Sequence, residues 1–348
     1  MTDLAGRLVV PTFAEPHAHL DRAFSSAVTG WNRSGSLDEA VERFHGSVDR
    51  MTVESLAPGG RRALGLLYDA GVGHVRTHTA IGGRLGFRAW EAVEKAAAAV
   101  PGVDVCQVAM PIHSDLDDPE IAAWVREGVA RGAVAVGGAP YRATDPVAAT
   151  RASAELAAEL GIGLDLHVDE SDDPGVDTLG PLAAAVTEFG LAGRATAHHC
   201  CSLARRPEAV ARAQAEALAE AGVAVVVCPV SNLSLQGRSC GARGLAPLRW
   251  LRDAGVAIGI GLDNIRDLVV SVGTADPLRA AWLVAIAGHL TGEDDLEWLG
   301  RIVTSGNRRI CHLPDGVDEA DRADLLVIEA ASLAEAVALV PRRQRLSA

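Results

Sequence analysis

The sequence predicts an α/β protein built as a (β/α)8 TIM barrel, with a small β annex at its C-terminus. Three observations lead to this prediction. Short β-branched apolar runs alternate with helical segments, which is typical of parallel sheets with helical crossovers. The alternation gives eight strand–helix units, and the 348 residues exceed the roughly 250 that such a barrel needs. No G-x-G-x-x-G opens the first helix, which argues against an open doubly wound sheet.

The barrel elements follow from apolar content, length and periodicity. The first strand precedes a polar loop over 32–36 (NRSGS) and ends in the stretch 11–24, PTFAEPHAHLDRAF. Further strands are expected at 71–81, 103–110, 133–140, 163–168, 195–200, 223–229 and 257–263. Helices are expected at 37–51, 84–100, 119–131, 146–160, 180–189, 207–221 and 246–254.

Beyond residue 275 the pattern changes. It predicts two helices, over 278–289 and 294–304, then a lone strand in ADLLVIEA (323–330) and a basic tail, PRRQRLSA. We therefore predict a barrel over residues 1–310 and a small annex over 311–348.

Charge and composition exclude several classes of partner. The formal net charge of −13 argues against nucleic acid or an anionic membrane as a partner. No charged leader precedes a long apolar segment, and no apolar run of about 18 residues occurs, so we expect a soluble cytoplasmic protein. The six cysteines include no C-x-x-C, so neither a disulfide framework nor a zinc ribbon is expected.

Polar residues recur where the predicted strands end, which is where barrels place catalytic groups. His17 and His19 are two residues apart and share one face of the first strand. His167 ends the fifth strand, and Asp263 ends the eighth. Three imidazoles and a carboxylate would hold one divalent metal and leave a coordination position for water. A structural alternative remains for each residue, such as a hydrogen-bonded core histidine or, for Asp263, a helix N-cap.

Several motifs, in order along nearly the whole chain, resemble the amidohydrolase superfamily, and within it the cytosine deaminase branch with its triazine-degrading relatives. The matching stretches are EPHAHLD (15–21), WNRSG (31–35), HVRTH (74–78), LHVDE (166–170), TAHH (196–199), LQGR (235–238), GLDNIRD (261–267) and ADLLVI (323–328). The resemblance implies a metal-dependent hydrolase barrel. It also implies that the annex is a reduced remnant of the β-sandwich that flanks the barrel in relatives.

The resemblance assigns roles to individual residues. The metal ligands are His17, His19, His167 and Asp263. Glu170 carries a proton to a substrate ring nitrogen, and His199 lies beside the metal-bound water, whereas His198 is expected to be a packed or hydrogen-bonded residue. Asp263 also accepts the proton of that water. In this scheme a metal-bound hydroxide adds to the carbon that carries the amino group, and ammonia leaves.

The number of metal ions is expected to be one. Binuclear members of the superfamily use a carboxylated lysine as a bridge. The chain has a single lysine, Lys95, in the middle of a predicted helix, so the expected cofactor is one zinc or iron ion.

The substrate contacts depart from the cytosine deaminase pattern. Ile112 stands where a glutamine binds the pyrimidine amide, and an unpaired buried carbonyl would cost about 1–3 kcal/mol. Asn264 replaces a second aspartate. We expect Ile112, Asn264, Trp31 and Gln236 to be the substrate-binding residues, with the neighbouring Asn32 in the same loop as Trp31. Cytosine is therefore an unfavourable substrate.

Three functions remain open at the level of sequence. The first is a deaminase acting on a small amino-substituted N-heterocycle. The second is an amidohydrolase that cleaves a cyclic amide or releases an alkylamine from a triazine-like ring. The third is a binding protein that retains the metal without turnover, an alternative that the presence of Glu170 and His199 disfavours. A homo-oligomer is compatible with each.

Overall fold

The structure is a computed structural model, and it describes residues 6–238, 243–319 and 324–346. Its eleven named strands form one three-stranded and one eight-stranded sheet. The strands are β1 (Leu8–Pro11), β2 (Phe13–Ala18), β3 (Val72–Ile81), β4 (Asp104–Pro111), β5 (Ala135–Gly138), β6 (Gly163–Val168), β7 (Ala195–His199), β8 (Val223–Val227), β9 (Ile258–Ile260), β10 (Leu325–Ile328) and β11 (Arg343–Arg345).

The α-helices of the described residues lie between and after these strands. They are α1 (Ser26–Thr29), α2 (Leu37–His45), α3 (Val53–Asp69), α4 (Arg88–Ala98), α5 (Pro119–Ala130), α6 (Pro146–Leu160), α7 (Leu179–Glu188), α8 (Glu208–Glu220), α9 (Pro229–Leu235), α10 (Leu248–Asp253), α11 (Pro277–Ala287), α12 (Glu293–Arg301), α13 (Asn307–Ile310) and α14 (Leu333–Leu339). A π-helical turn, Ile302–Gly306, joins α12 to α13.

The eight-stranded sheet confirms the predicted barrel. Strands β2 to β9 pair in sequence order, and every pair is parallel. The barrel closes where the chain beyond β9 meets β2. The Asp263 N–H donates to the His17 carbonyl oxygen at 2.7 Å, and the His19 N–H donates to the Asp263 carbonyl oxygen at 3.3 Å. This backbone pairing sets Asp263 between His17 of β2 and His19, which directly follows that strand.

Helix α3 was missed by the sequence pattern. Pro58, Gly59 and Gly60 of this helix have low helix propensity. The helix nevertheless continues through them, and it begins at a capping box that Thr52 forms with Ser55. The two glycines let the helix approach the chain after β2. A Cβ on Gly59 would lie 2.0 Å from the Ala23 carbonyl oxygen. Close tertiary packing therefore overrides local propensity here.

The annex contains more than the lone strand expected at 323–330. Strand β1 pairs antiparallel with β10, and β10 pairs antiparallel with β11. The sequence merged β1 into the first barrel strand, and it read β11 as part of a basic tail because Arg343–Arg345 lacks an apolar signal. Helix α14, at Leu333–Leu339, was also not predicted. The proposed boundary between residues 310 and 311 stays a prediction.

Two further properties of the described residues bear on the sequence analysis. Five cysteines, Cys106, Cys200, Cys201, Cys228 and Cys311, are free thiols, while Cys240 lies outside the described residues. In the same part of the chain, no helix combines the length and the apolar character that crossing a membrane requires.

Candidate active site

The four predicted metal ligands meet at the carboxyl-terminal mouth of the barrel. Asp263 Oδ1 lies 3.4 Å from His17 Nε2 and 3.3 Å from His19 Nε2. His19 Nε2 is 3.2 Å from His167 Nε2. Asp263, His17 and His19 lie at the barrel seam, where β2 meets the chain beyond β9. His167 lies on β6, across the mouth from them. Side chains from distant parts of the sequence thus surround one small volume.

The spacing of these atoms fits a divalent metal. Neighbouring donor atoms held about 2.0–2.2 Å from one ion that keeps a further position for water lie roughly 2.8–3.8 Å apart. His17 Nε2 and Asp263 Oδ1 are buried and have no hydrogen-bond partner, a costly state that an ion would relieve. His19 Nδ1 bonds the His78 carbonyl oxygen at 3.0 Å, which fixes the ring and leaves Nε2 directed at the cluster.

The histidines of the cluster are in the form that binds metals. Burial, the largest cause, holds the pKa values of His17, His19 and His167 well below their usual range, and the neighbouring imidazoles add to the effect. A neutral imidazole keeps a lone pair available for coordination.

Backbone and side-chain features shape this mouth. Asp263 and His199 have φ angles of +57° and +71°, a conformation uncommon for residues other than glycine and often found at functional sites. Glu15 was not singled out by the sequence. Its Oε1 accepts from the backbone N–H groups of His17 and Leu262, both at 2.9 Å, and so ties the two edges of the seam together. A Cβ on Gly261 would lie 2.9 Å from the His17 Cβ, so the glycine makes room for the His17 side chain.

Glu170 lies beside the cluster with its carboxyl group buried. Burial, and after it the nearby Asp263 carboxylate, raise the pKa of Glu170 to about 8, although a hydrogen bond from Tyr141 opposes the shift. The Tyr141 hydroxyl donates to Glu170 Oε2 at 3.1 Å. A carboxyl group that is protonated near neutral pH can donate a proton to a bound base.

His199 faces the same volume from the end of β7. Its ring centroid lies 5.3 Å from that of His17 and 5.1 Å from that of His167. His199 Nδ1 accepts from the Asn232 side-chain amide at 2.9 Å, so the other ring nitrogen, Nε2, carries the proton and can donate to an oxygen in the cavity. That nitrogen is buried and has no protein partner. Asn232, which fixes this tautomer, was not predicted.

His198 is a buried, hydrogen-bonded residue, as the sequence predicted, and its ring centroid lies 4.2 Å from that of His17. Its Nε2 bonds Asp165, and the same carboxylate accepts from Arg76 Nη1 at 2.8 Å. His78 Nε2 lies 3.1 Å from Asp165 Oδ1. This buried network lies below the cluster and supports the rings that form it. Asp165 was not singled out, although it shares a strand face with His167.

An open cavity leads from the cluster to solvent, and two of the four predicted substrate-binding residues line it. Ile112 and Asn264 are lining residues. The Asn264 side chain already bonds Ser231 at 3.0 Å and Asp267 at 2.7 Å. Tyr141 and Arg142 also line the cavity, and neither was predicted.

The other two predicted substrate-binding residues, Trp31 and Gln236, lie outside that lining. The Trp31 side chain is 41% exposed, and its ring lies 5.8 Å from the Arg266 guanidinium carbon. Gln236 lines a neighbouring hollow. Asn32 bonds within its own loop, donating to the Ser36 carbonyl oxygen at 2.8 Å. No substrate contact follows from these positions alone.

The single lysine lies far from the cluster in the fold. Lys95 is on the outer helix α4, is 59% exposed and approaches Glu54 at 3.8 Å. It therefore supplies no bridging carbamate at the barrel mouth.

Comparison with known proteins assigns the family. Residues 61–345 match the model of the amidohydrolase family. The chain belongs to the amidohydrolase family. This family is metal-dependent, and this chain is a hydrolase that acts on C–N bonds.

Two curated relatives cover most of the chain. Pterin deaminase from Rhizobium rhizogenes is 32% identical over 331 residues, which is 90% of this chain and 72% of that protein. N-isopropylammelide isopropyl amidohydrolase from Pseudomonas sp. (strain ADP) is 26% identical over 363 residues, which is 99% of this chain and 85% of that protein. Both relatives therefore align along the barrel rather than over one motif.

A solved amidohydrolase structure has the same architecture. The 5-methylcytosine deaminase from Klebsiella pneumoniae, liganded with phosphonocytosine, superposes with a TM-score of 0.92 at 30% identity, covering 98% of this chain and 85% of that one. The fold expected from the sequence is confirmed by this match and by the eight-stranded parallel sheet.

Proposed function

We propose that this protein is a mononuclear metal-dependent deaminase that removes the amino group of a small N-heterocycle other than cytosine. The observation that carries the proposal is the buried acid Glu170, which lies beside four convergent ligands at the end of an open cavity. Relatives named for pterin, 5-methylcytosine and N-isopropylammelide support a nitrogen heterocycle as the substrate.

The metal is proposed to be one zinc or iron ion held by His17, His19, His167 and Asp263. When bound, it supplies a Lewis acid that makes hydrolysis possible near neutral pH. Glu170 donates its proton to the ring nitrogen next to the carbon that carries the amine, which makes that carbon more electrophilic. The Nε2–H of His199 stabilises negative charge that develops on the oxygen bound to that carbon.

Proton transfer must also reach the leaving group. Asp263 keeps a second carboxylate oxygen that can accept a proton from the attacking water and pass it to the departing amine, and Glu170 regains its proton from the hydroxyl group left on that carbon as the keto product forms. The Tyr141 hydroxyl holds Glu170 Oε2 in position during both transfers. The products are ammonia and the hydroxylated or keto heterocycle.

Release of an alkylamine is the second candidate. The isopropyl amidohydrolase relative, aligned over 99% of this chain, favours it, as does the apolar Ile112 in the cavity lining. The same residues serve either leaving group, because both reactions add water to a ring carbon and expel nitrogen.

The test is an amine-release assay with metal-loaded protein on pterin, 5-methylcytosine, cytosine and N-isopropylammelide. We expect release of ammonia from at least one amino heterocycle other than cytosine, with a mass increase of about one dalton because O replaces NH in the product. Release of isopropylamine alone would support the second candidate. Release from none of these compounds would contradict both.

A matched pair of variants links turnover to the proposed acid. Glu170→Gln should lower turnover by about 10²–10⁴-fold, the range typical of a lost general acid. Glu127→Gln changes an exposed glutamate that pairs with Arg131 on α5 and should retain full turnover. Equal activity of the two variants would exclude Glu170 from the proposed role.

A further inference from the structure

The cavity that leads to the cluster has carboxyl groups at its inner end and an arginine nearer to solvent. Its lining carboxylates, Glu170 and Asp263, lie at the inner end together with His167 and His199. Towards solvent, where Arg142 pairs with the exposed Asp38, the lining includes this cation together with His45 and Ser114, which can both donate and accept hydrogen bonds. An amino heterocycle bound with its amine at the inner end would therefore direct its opposite edge towards a cation.

Arg142 is the cationic group of this outer end. It follows Tyr141 in a short 3₁₀ turn, Pro140–Arg142. The Tyr141 hydroxyl contacts Glu170, so the turn connects the inner and outer ends of the cavity. Arg142 Nη2 donates to Asp38 Oδ1 at 3.2 Å, and the side chain of Asp38 is 88% exposed. An ion pair this exposed contributes little, so a ligand anion can replace Asp38 at low cost.

Two histidines, His45 and His113, lie near Arg142. The rings of His45 and His113 stack with centroids 5.6 Å apart and an interplanar angle of 18°. Burial, then His113 and Arg142, lower the pKa of His45. His45 is thus neutral near pH 7 and offers an N–H donor without adding a full charge.

The remaining outer lining is apolar. Leu37, Val41 and Phe44 of α2 form one wall, and Ile112 and Val269 contribute to the rest. Such a lining holds a flat ring by contact area but offers no side-chain hydrogen bonds to its edges. Orientation of the ring must then come from its two ends, the amine at the metal cluster and a second polar group near Arg142.

We propose that the substrate carries a carboxylate on the edge of the heterocycle remote from the amine, and that Arg142 binds this carboxylate in place of Asp38. The inference deepens the proposed function, on which it rests, by naming a chemical class of substrate. Arg142 acts on specificity, since it is placed to contact the ligand's carboxylate and not the reacting atoms.

The test compares binding of matched probes, so that it does not depend on turnover. Dissociation constants are measured by calorimetry on metal-loaded Glu170→Gln protein for pterin and for pterin-6-carboxylate, whose carboxylate lies on the edge remote from the amine. In this background the carboxylated probe should bind more tightly than its neutral partner. Adding Arg142→Gln should weaken that probe by about 10–100-fold and change the neutral partner by less than about twofold.

Two further variants separate a specific contact from a change in net charge. Arg33→Gln removes an exposed arginine outside the cavity lining and should leave both probes unaffected. Asp38→Asn removes the competing carboxylate and should tighten binding of the carboxylated probe by up to about fivefold.

The outcomes distinguish this inference from the proposed function. Absence of a carboxylate preference, or equal weakening by Arg142→Gln and Arg33→Gln, would overturn the inference even if ammonia is released from a neutral heterocycle. Tighter binding of the carboxylated probe that is lost in Arg142→Gln but kept in Arg33→Gln would support the inference. This holds even if the compounds of the amine-release assay are not turned over.

Discussion

The carboxyl group of Glu170 is surrounded by features that disfavour its ionised form. It is removed from water and lies near Asp263, and together these raise its pKa to about 8. The hydrogen bond from Tyr141 works in the opposite direction, because it stabilises the carboxylate. With a pKa of about 8, the carboxyl group is mostly protonated at pH 7 and loses its proton when the pH rises by about one unit.

Tyr141→Phe tests this balance. Loss of the hydroxyl removes a hydrogen bond to the ionised form, so the pKa of Glu170 should rise. The alkaline limb of kcat/KM against pH, where the acid loses its proton, should move up by about 0.5–1 pH unit. The measurement is amine release between pH 6 and 10. Tyr68→Phe, at the other tyrosine, should leave the limb unmoved, and a downward shift in Tyr141→Phe would contradict the assignment.

Residues whose position follows from strand periodicity could be predicted from the sequence. The spacing of His17 and His19, and the positions of His167 and Asp263 at the ends of predicted strands, placed the ligands at one end of the barrel. Tyr141 and Asn232 could not be found this way. Each acts through a hydrogen bond to a residue 29 or 33 positions away, and no local pattern records such a contact.

The elements that hold the site are the barrel seam and the helix that packs behind it. Pairing between β2 and the segment after β9 aligns three ligands by backbone hydrogen bonds. Helix α3 packs against α4 and β3, and its Leu64 and Leu67 are fully buried. Its glycines allow it to approach the loop after β2, close to the residues that follow His19.

A pair of glycine variants measures that approach. Gly59→Ala would place a Cβ 2.0 Å from the Ala23 carbonyl oxygen and should lower the free energy of unfolding by about 2 kcal/mol or more. Gly65→Ala lies in the same helix with nothing within 4 Å of the added Cβ and should raise it by about 0.5–1 kcal/mol. Denaturant unfolding of both variants is the measurement. Equal changes in the free energy of unfolding would show that packing against Ala23 does not determine whether residue 59 can carry a side chain.

At the scale of the whole molecule, the three-stranded sheet joins the two ends of the described chain to the barrel. Arg343 of β11 donates from Nε to the Ala70 carbonyl oxygen at 2.7 Å, and its Nη2 lies 2.6 Å from Asp276 Oδ1. Arg345 Nη2 donates to the Val72 carbonyl oxygen at 2.7 Å. The barrel could be predicted from eight repeated units, but this sheet joins segments more than 300 residues apart and its basic strand has no apolar signature.

Arg343→Ala tests whether the annex stabilises the barrel. It removes two charge-assisted contacts from a largely buried side chain and should lower the free energy of unfolding by about 1.5–3 kcal/mol. Arg342→Ala, at the exposed neighbour, should change it by less than about 0.5 kcal/mol. Thermal and denaturant unfolding would compare the two. A loss confined to Arg342→Ala would contradict the packing described for β11.

The central claim is that His17, His19, His167 and Asp263 hold one divalent ion. The most direct measurement is the metal content of protein that has been stripped with a chelator, reloaded with zinc or iron(II) and freed of excess ion. Wild-type protein and Glu170→Gln should each retain one equivalent per chain, because the glutamate lies outside the ligand set. His167→Ala and Asp263→Ala should retain far less than one. Full metal content in either of these variants, or none in the wild-type protein, would contradict the account.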